Sequence, residues 1–376
     1  MTSPASDRIV GIDYLSAVTH PPGVGRYLRE LVRALVRLEQ RPELRLLEVG
    51  GGSRVMEGPP LGLAGAARVR RLRSRLPRRT LDLLSRMGLG ADRLLGGVDV
   101  FHRVFPERPV STRAAVSLAL AELRAPGSAQ DEAWGEACRG AAATLVFCED
   151  YRMRVASRYD LDPGRVHALP VGCEHWARDL AVLPAPQEKP RLLVLGAIRQ
   201  PRHPRRVLAA FEALRAGGHD ARLCFIGRPG DEDHAFRAAL DSSPAREEVT
   251  WIESPVEADM PAAVAASDVL VHLAEEEGSP VTPLEAFSLG LGVVASRLPS
   301  FEEALGDEAL YVDLTETETS PTILADSLAT AISARRNTEA SARRRALAGA
   351  FTWKENARLT SSIWQDVPAN RDSRTN

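Results

Sequence analysis

Two carboxylates, Glu277 and Glu285, stand eight positions apart in the run Glu277-Gly278-Ser279-Pro280-Val281-Thr282-Pro283-Leu284-Glu285-Ala286. An apolar run at 269–273 precedes them, and a second at 293–296 follows Gly290 and Gly292. That order predicts a strand–loop–helix–strand unit with its acids at the carboxyl end of a parallel sheet, where open α/β sheets bind ligands. A carboxylate there can hold a pair of ligand hydroxyls, as acidic residues hold ribose in nucleotide folds. The helix start beside it suits a diphosphate, because the first N–H groups lack partners and the dipole favours negative charge. The same letters also fit a purely structural role. Thr282 at N-cap, Pro283 at the first helical position and Glu285 at N3 would make a capping box.

The elements that must position these acids alternate along almost the whole chain, which predicts α/β layers with mainly parallel sheets. Strands are expected at 8–13, 44–49, 98–102, 114–118, 144–148 and 166–169, with a helix opening after Gly23 through Val24, Tyr27, Leu28, Leu31, Leu35 and Leu38. The proline-rich stretch 181–190 reads as a linker. A second series follows at 192–196, 223–227, 249–252, 269–273, 293–296 and 310–312, with helices at 322–335 and from 341 to about 367. The expected domains are 1–183 and 184–350, a closing helix at 351–367 and a polar tail at 368–376. Two similar α/β halves with a cleft between them are the predicted architecture.

A chain of 376 residues exceeds what one core usually supports, so two domains are the expectation on length as well. The net charge of −2 gives no global electrostatic case for nucleic acid. No apolar run approaches bilayer length and the first residues hold no signal core, so a cytoplasmic protein is expected. Cys138, Cys148, Cys173 and Cys224 are scattered without metal-ligand spacing, which points to buried thiols rather than disulfides or zinc. An arginine-rich stretch holds Arg68, Arg70, Arg71, Arg73, Arg75, Arg78 and Arg79, with Val69, Leu72 and Leu76 at helical spacing. It reads as a surface helix, either simply solvated or resting on anionic lipid at the inner face of a membrane.

The acidic segment resembles the Glu–seven residues–Glu motif of the family-four retaining glycosyltransferases, whose usual form is EGFGLPxLEA. The pattern from Ala295 to Asp313 continues that resemblance. Gly11-Ile12-Asp13 with Pro22 to Tyr27, Asp99 to His102, Arg165 to Gly172, Gly196 to His203, and Phe351-Thr352-Trp353 resemble further blocks of the family in the same order. Together they cover roughly residues 8–366. The resemblance implies a GT-B fold, with two facing Rossmann-like domains, a cleft and a C-terminal crossing helix. It also implies sugar transfer from a nucleotide sugar, a UDP- or GDP-sugar, with no metal required and no other cofactor.

Carried over by position, Glu277 becomes the catalytic-centre acid that contacts donor-sugar hydroxyls, and Glu285 the acid that holds the ribose. Arg202 stands where the family has its diphosphate-binding lysine, and a guanidinium can grip phosphate bidentately. Taken alone, Arg202 would read as a solvated surface charge. Gly196, Gly278, Val281 and Thr282 complete the implied donor site. Gly23 and Gly25 imply a loop whose N–H groups approach phosphate or acceptor. His102, at a strand end, would face the cleft or else be a packed, hydrogen-bonded histidine. The chain departs from the family at Ala197, where a basic residue is common, and at Pro280, which replaces a glycine and its N–H. Ala119 and Leu120 occupy the positions of a His-Asp pair, and Glu122 is the nearest acid. These departures keep a second expectation open: a nucleotide-sugar-binding or partner subunit with weak or no turnover.

Overall fold

The computed structural model describes residues 8–19, 23–50, 68–77, 80–81, 83–84, 87, 89–104, 106, 111–180, 187–314 and 320–368. The chain divides into two compact units, residues 1–172 with 353–376, and residues 173–352.

The first unit is built on seven strands: β1 (Ile9–Asp13), β2 (Glu43–Gly50), β3 (Val69–Pro77), β4 (Val100–Arg103), β5 (Ala115–Ala119), β6 (Ala143–Val146) and β7 (Val166–Ala168). They lie in the order β3-β2-β1-β4-β5-β6-β7, and every neighbouring pair is parallel. Apolar side chains fill this sheet because a parallel sheet is covered on both faces. Val10, Ile12, Leu44, Leu46, Val100, Phe101 and Leu118 are all buried. The helix Val24–Leu35 lays Tyr27, Leu28, Leu31, Val32 and Leu35 inward at helical spacing. It stops before Leu38, which is only half-buried. The last helix, Trp353–Asp366, packs against it, with the Trp353 ring 6.0 Å from that of Tyr27.

The second unit holds β8 (Arg191–Leu195), β9 (Arg222–Ile226), β10 (Val249–Ile252), β11 (Val269–His272), β12 (Gly292–Ser296) and β13 (Leu310–Val312). Their order is β10-β9-β8-β11-β12-β13, again parallel throughout. Leu192, Phe211, Phe225, Phe236, Val271, Val294 and Leu328 belong to one continuous core. Two helices, Pro204–Ala216 and Pro321–Ser333, pack together over that sheet.

Three expectations need correction. The boundary between units falls at 172/173 rather than 183/184, because the helix His175–Asp179 packs against the helices Met260–Ala265 and Val281–Ser288 of the second unit. The single helix expected from 341 to 367 is two, Thr338–Ala348 and Trp353–Asp366, and they belong to different units. The arginine-rich stretch is not a helix but the edge strand β3. Its arginines follow a period of two: Arg71 and Arg73 both reach Glu48 of β2, at 2.6 and 2.7 Å. Glu48 is almost fully buried, so its charge needs those partners. Arg78 and Arg79 lie outside the described residues.

A prediction follows from this fork. Arg73→Ala alone should cost under about 1 kcal/mol, because Arg71 still covers the carboxylate. The double variant Arg71→Ala/Arg73→Ala should cost more than the two single effects added, measured by urea unfolding, since it strands a buried charge.

Candidate functional site

In the second unit the chain runs outward from β8 through β9 to β10, then returns to lay β11 on the other side of β8. The switch point therefore lies between the carboxyl ends of β8 and β11, where doubly wound sheets open a ligand crevice. Gly196 leaves β8 with a φ of +128°, a backbone conformation reserved for glycine, and nothing lies within 4 Å of where a Cβ would stand. The chain then makes a short 3-10 turn, Gln200–Arg202, before His203 opens the helix Pro204–Ala216. That turn holds Arg202 over the end of the sheet.

The loop after β11 is fastened on both sides. The Glu275 N–H donates to the Pro201 carbonyl at 3.2 Å, and Gln200 Nε2 donates to Glu275 Oε1 at 2.8 Å. On the other side, Ser296 Oγ accepts from the Ala274 N–H at 2.8 Å, and Ser300 Oγ donates to the Glu277 carbonyl at 2.5 Å. This places Glu277 against Arg202, whose Nη2 donates to Glu277 Oε2 at 2.5 Å. The other arm of the guanidinium, Nη1, lies 2.8 Å from His272 Nε2. Burial, and then the Arg202 charge, push the His272 imidazole well below its usual range, so it is neutral and accepts. A recess lined by Gly196, Ala197, Ile198, Arg202 and His272 opens there. Gly196, Arg202 and Glu277, the positions implied by the resemblance, lie together here with His272, which is the last residue of β11 and carries no motif.

Glu285 is not the N3 acid of a capping box. The helix begins at Val281 with Pro280 as its N-cap, and no side chain caps it. Thr282 is inside the first turn, and Glu285 sits a full turn in. Its side chain is fully buried, with His175 Nε2 2.9 Å from its Oε1. That is ion-pair distance, but the approach is off the line of a hydrogen bond. Within the first turn only Val281 and Thr282 have N–H groups to offer an anion. Pro283 has none, and the Leu284 N–H is bonded to the Pro280 carbonyl. Val281 and Thr282 are half-buried and Gly278 is buried.

The first unit treats its candidates differently. Gly23 is exposed at the start of the helix Val24–Leu35 with a φ of +60°, and Gly25 is buried in the first turn. His102 does not face solvent. It is 0 % exposed, shares a hydrogen bond of 3.1 Å between Nδ1 and Ser117 Oγ, and lies 5.3 Å from the Trp364 ring. Desolvation pushes its imidazole down to about 3. It is a neutral core histidine, and a contact with a ligand is corrected to that role.

The profile of glycosyl transferases group 1 matches residues 177–347, the segment that contains this site. That segment is similar to the glycosyl transferases group 1. No curated protein sequence matches the chain. Among solved structures, the sucrose-phosphate synthase of Thermosynechococcus elongatus is 15% identical with a TM-score of 0.72, over 96% of this chain and 98% of its own. WaaG, a glycosyltransferase involved in lipopolysaccharide biosynthesis, is 15% identical with a TM-score of 0.67, over 94% of this chain and 99% of its own. The pneumococcal O-GlcNAc transferase GtfA, solved in complex with UDP and GlcNAc, is 10% identical with a TM-score of 0.59, over 77% of this chain and 59% of its own. The fold is the GT-B fold of these glycosyltransferases.

Within this GT-B chain, the departures noted in the sequence have a clear structural setting. Ala119 ends β5 and Leu120 follows it into a core shared with Leu118, Leu123 and Trp134, so neither position offers a polar group. Glu122 is half-buried and pairs with Arg124 at 2.8 Å. All four cysteines are buried without a disulfide. Among the described residues no group of three or more His, Cys, Asp and Glu side chains is arranged to hold a metal, and no helix is long and apolar enough to cross a membrane.

Proposed function

We propose that this chain is a retaining glycosyltransferase that moves a sugar from a nucleotide-sugar donor, a UDP- or GDP-sugar, to an acceptor such as a growing glycan, a lipid or a small molecule. The observation that carries the reading is the meeting of Gly196, Arg202 and Glu277 at the switch point of a parallel sheet, inside a segment similar to the glycosyl transferases group 1. Arg202 would hold the donor diphosphate and stabilise the charge that develops as it leaves, and the N–H groups of Val281 and Thr282 would add to it. Glu277 would orient the sugar through its hydroxyls, exchanging its contact with Arg202 for them. Glu285 would serve the ribose after its buried carboxylate is uncovered, with His175 releasing or sharing it. No metal takes part in this reading. The UDP held by the pneumococcal enzyme makes UDP-sugars the first donors to test. Anionic lipid against the exposed arginines of β3, Arg70 and Arg73, is part of the proposal for a membrane-bound acceptor.

A panel of UDP- and GDP-sugars, read for binding by thermal shift and for donor consumption with candidate acceptors, tests this. Binding with turnover supports the enzyme, and absence of any nucleotide binding overturns it. One observation favours a second reading, a donor-binding subunit without turnover: the apolar, buried Ala119 and Leu120. Tight binding with no consumption would select it. For the enzyme, Glu277→Gln should lower transfer about 10–100-fold, the worth of one to two hydrogen bonds to a charged group. Nucleoside-diphosphate affinity should not fall, because Arg202 is freed from an internal counter-charge. A parallel drop in both quantities would contradict the assigned role.

A further inference from the structure

Arg202 is anchored twice, and the two anchors differ in kind. Glu277 is a partly exposed carboxylate at the end of a loop, with 15 % of its side chain accessible. His272 is built into β11, which lies between β8 and β12 in the sheet, with only 4 % of its surface accessible and the Phe301 ring 5.5 Å away. An anchor buried in a central strand moves only if the sheet moves, whereas a loop carboxylate can turn to a ligand.

We propose that His272 is the positioning residue of Arg202, accepting a hydrogen bond at Nε2 from Nη1 and thereby aiming the guanidinium at a nucleoside diphosphate. The inference rests on the donor-site reading above and adds to it a residue outside the motif. A guanidinium carries five N–H donors. One is spent on His272 and one on Glu277, which leaves three for phosphate oxygens. When a donor sugar takes over the Glu277 carboxylate, the bond to His272 is the one that still fixes the plane. Two opposed anchors also remove the rotamer freedom that a long side chain otherwise loses on binding. Burial serves this arrangement, since a protonated imidazole would have no lone pair to offer and would repel Arg202. The required tautomer carries its proton on Nδ1.

Calorimetric titration of the full chain with UDP and with GDP tests the proposal, using His272→Phe, His272→Gln and Arg202→Met beside the wild type. His272→Phe keeps an aromatic ring but removes the acceptor, and should weaken binding about tenfold. His272→Gln restores an acceptor oxygen and should stay within about threefold of wild type, while Arg202→Met should lose most of the affinity. Wild-type affinity in His272→Phe, or equal loss in the Phe and Gln variants, would overturn the positioning role while leaving the donor site intact. Failure of the wild type to bind either nucleotide would instead overturn the donor-site reading on which it rests. Nitrogen-15 NMR of the imidazole is an independent check if the Phe variant does not fold: a proton on Nε2 sinks the proposal, and a bare Nε2 with a proton on Nδ1 upholds it.

Discussion

His175→Leu should destabilise the second unit by about 3 kcal/mol, one of the largest single effects expected in this chain. The reason is the place of Glu285, whose side chain has no exposure and whose Oε1 lies 2.9 Å from His175 Nε2. Removing the imidazole takes a polar neighbour from a carboxylate held in a low-dielectric interior, where lost compensation is costly. The double variant His175→Leu/Glu285→Leu should recover most of that loss, because apolar replacement of both partners is often close to neutral. Urea unfolding of the two single variants and the double variant gives the coupling directly. Strict additivity would mean that the contact contributes nothing, and that Glu285 depends on its other polar interactions.

Acid should unfold the first unit through His102. Its imidazole is pushed down to about 3 in the folded chain, against about 6.5 when exposed. Between those values the unfolded chain binds a proton that the folded chain refuses, so stability falls as pH drops below about 6.5. The slope approaches about 1.4 kcal/mol per pH unit, which amounts to about 2 kcal/mol by pH 4.5. His102→Gln cannot titrate but can still bond Ser117, and should remove this part of the acid sensitivity. Urea midpoints at pH 6.5 and 4.5 for wild type and variant measure the difference, and an unchanged difference would show that His102 titrates normally. His272 is pushed in the same direction by burial and by Arg202, so it should add acid sensitivity of the same sign to the second unit.

Most of the strands were legible because parallel strands are buried on both faces and therefore read as unbroken apolar runs. The run at 269–273 appears as β11 and that at 293–296 within β12, each within a residue of expectation. The strand β3 was not legible in that way. Its Val69, Leu72 and Leu76 fall at helical intervals, but pairing with β2 imposes a period of two and delivers Arg71 and Arg73 to one buried acid. The capping box at Thr282 failed for a local reason: the helix starts earlier, at Val281, which turns Glu285 inward. For His102 the sequence left both a cleft-facing and a packed role open, because nothing near it in the chain announces Trp364, whose ring lies 5.3 Å away on the last helix.

The family resemblance, not the residues alone, drew Gly196 and Arg202 to the candidate donor site; the amino-acid sequence by itself determined the alternation of strands and helices and the placing of Glu277 and Glu285 at one loop and one helix. Those follow from short-range pattern: apolar runs that must be buried, glycines that must turn, and an acid spacing tied to one loop and one helix. Only the tertiary structure decided which polar groups meet. It set Arg202 between His272 and Glu277, joined Glu285 to His175, and sank His102 into the core. These pairings come from the order in which strands and helices pack, so side chains far apart in sequence share a site. A buried charge or imidazole announces only that it needs a partner, and packing alone says which.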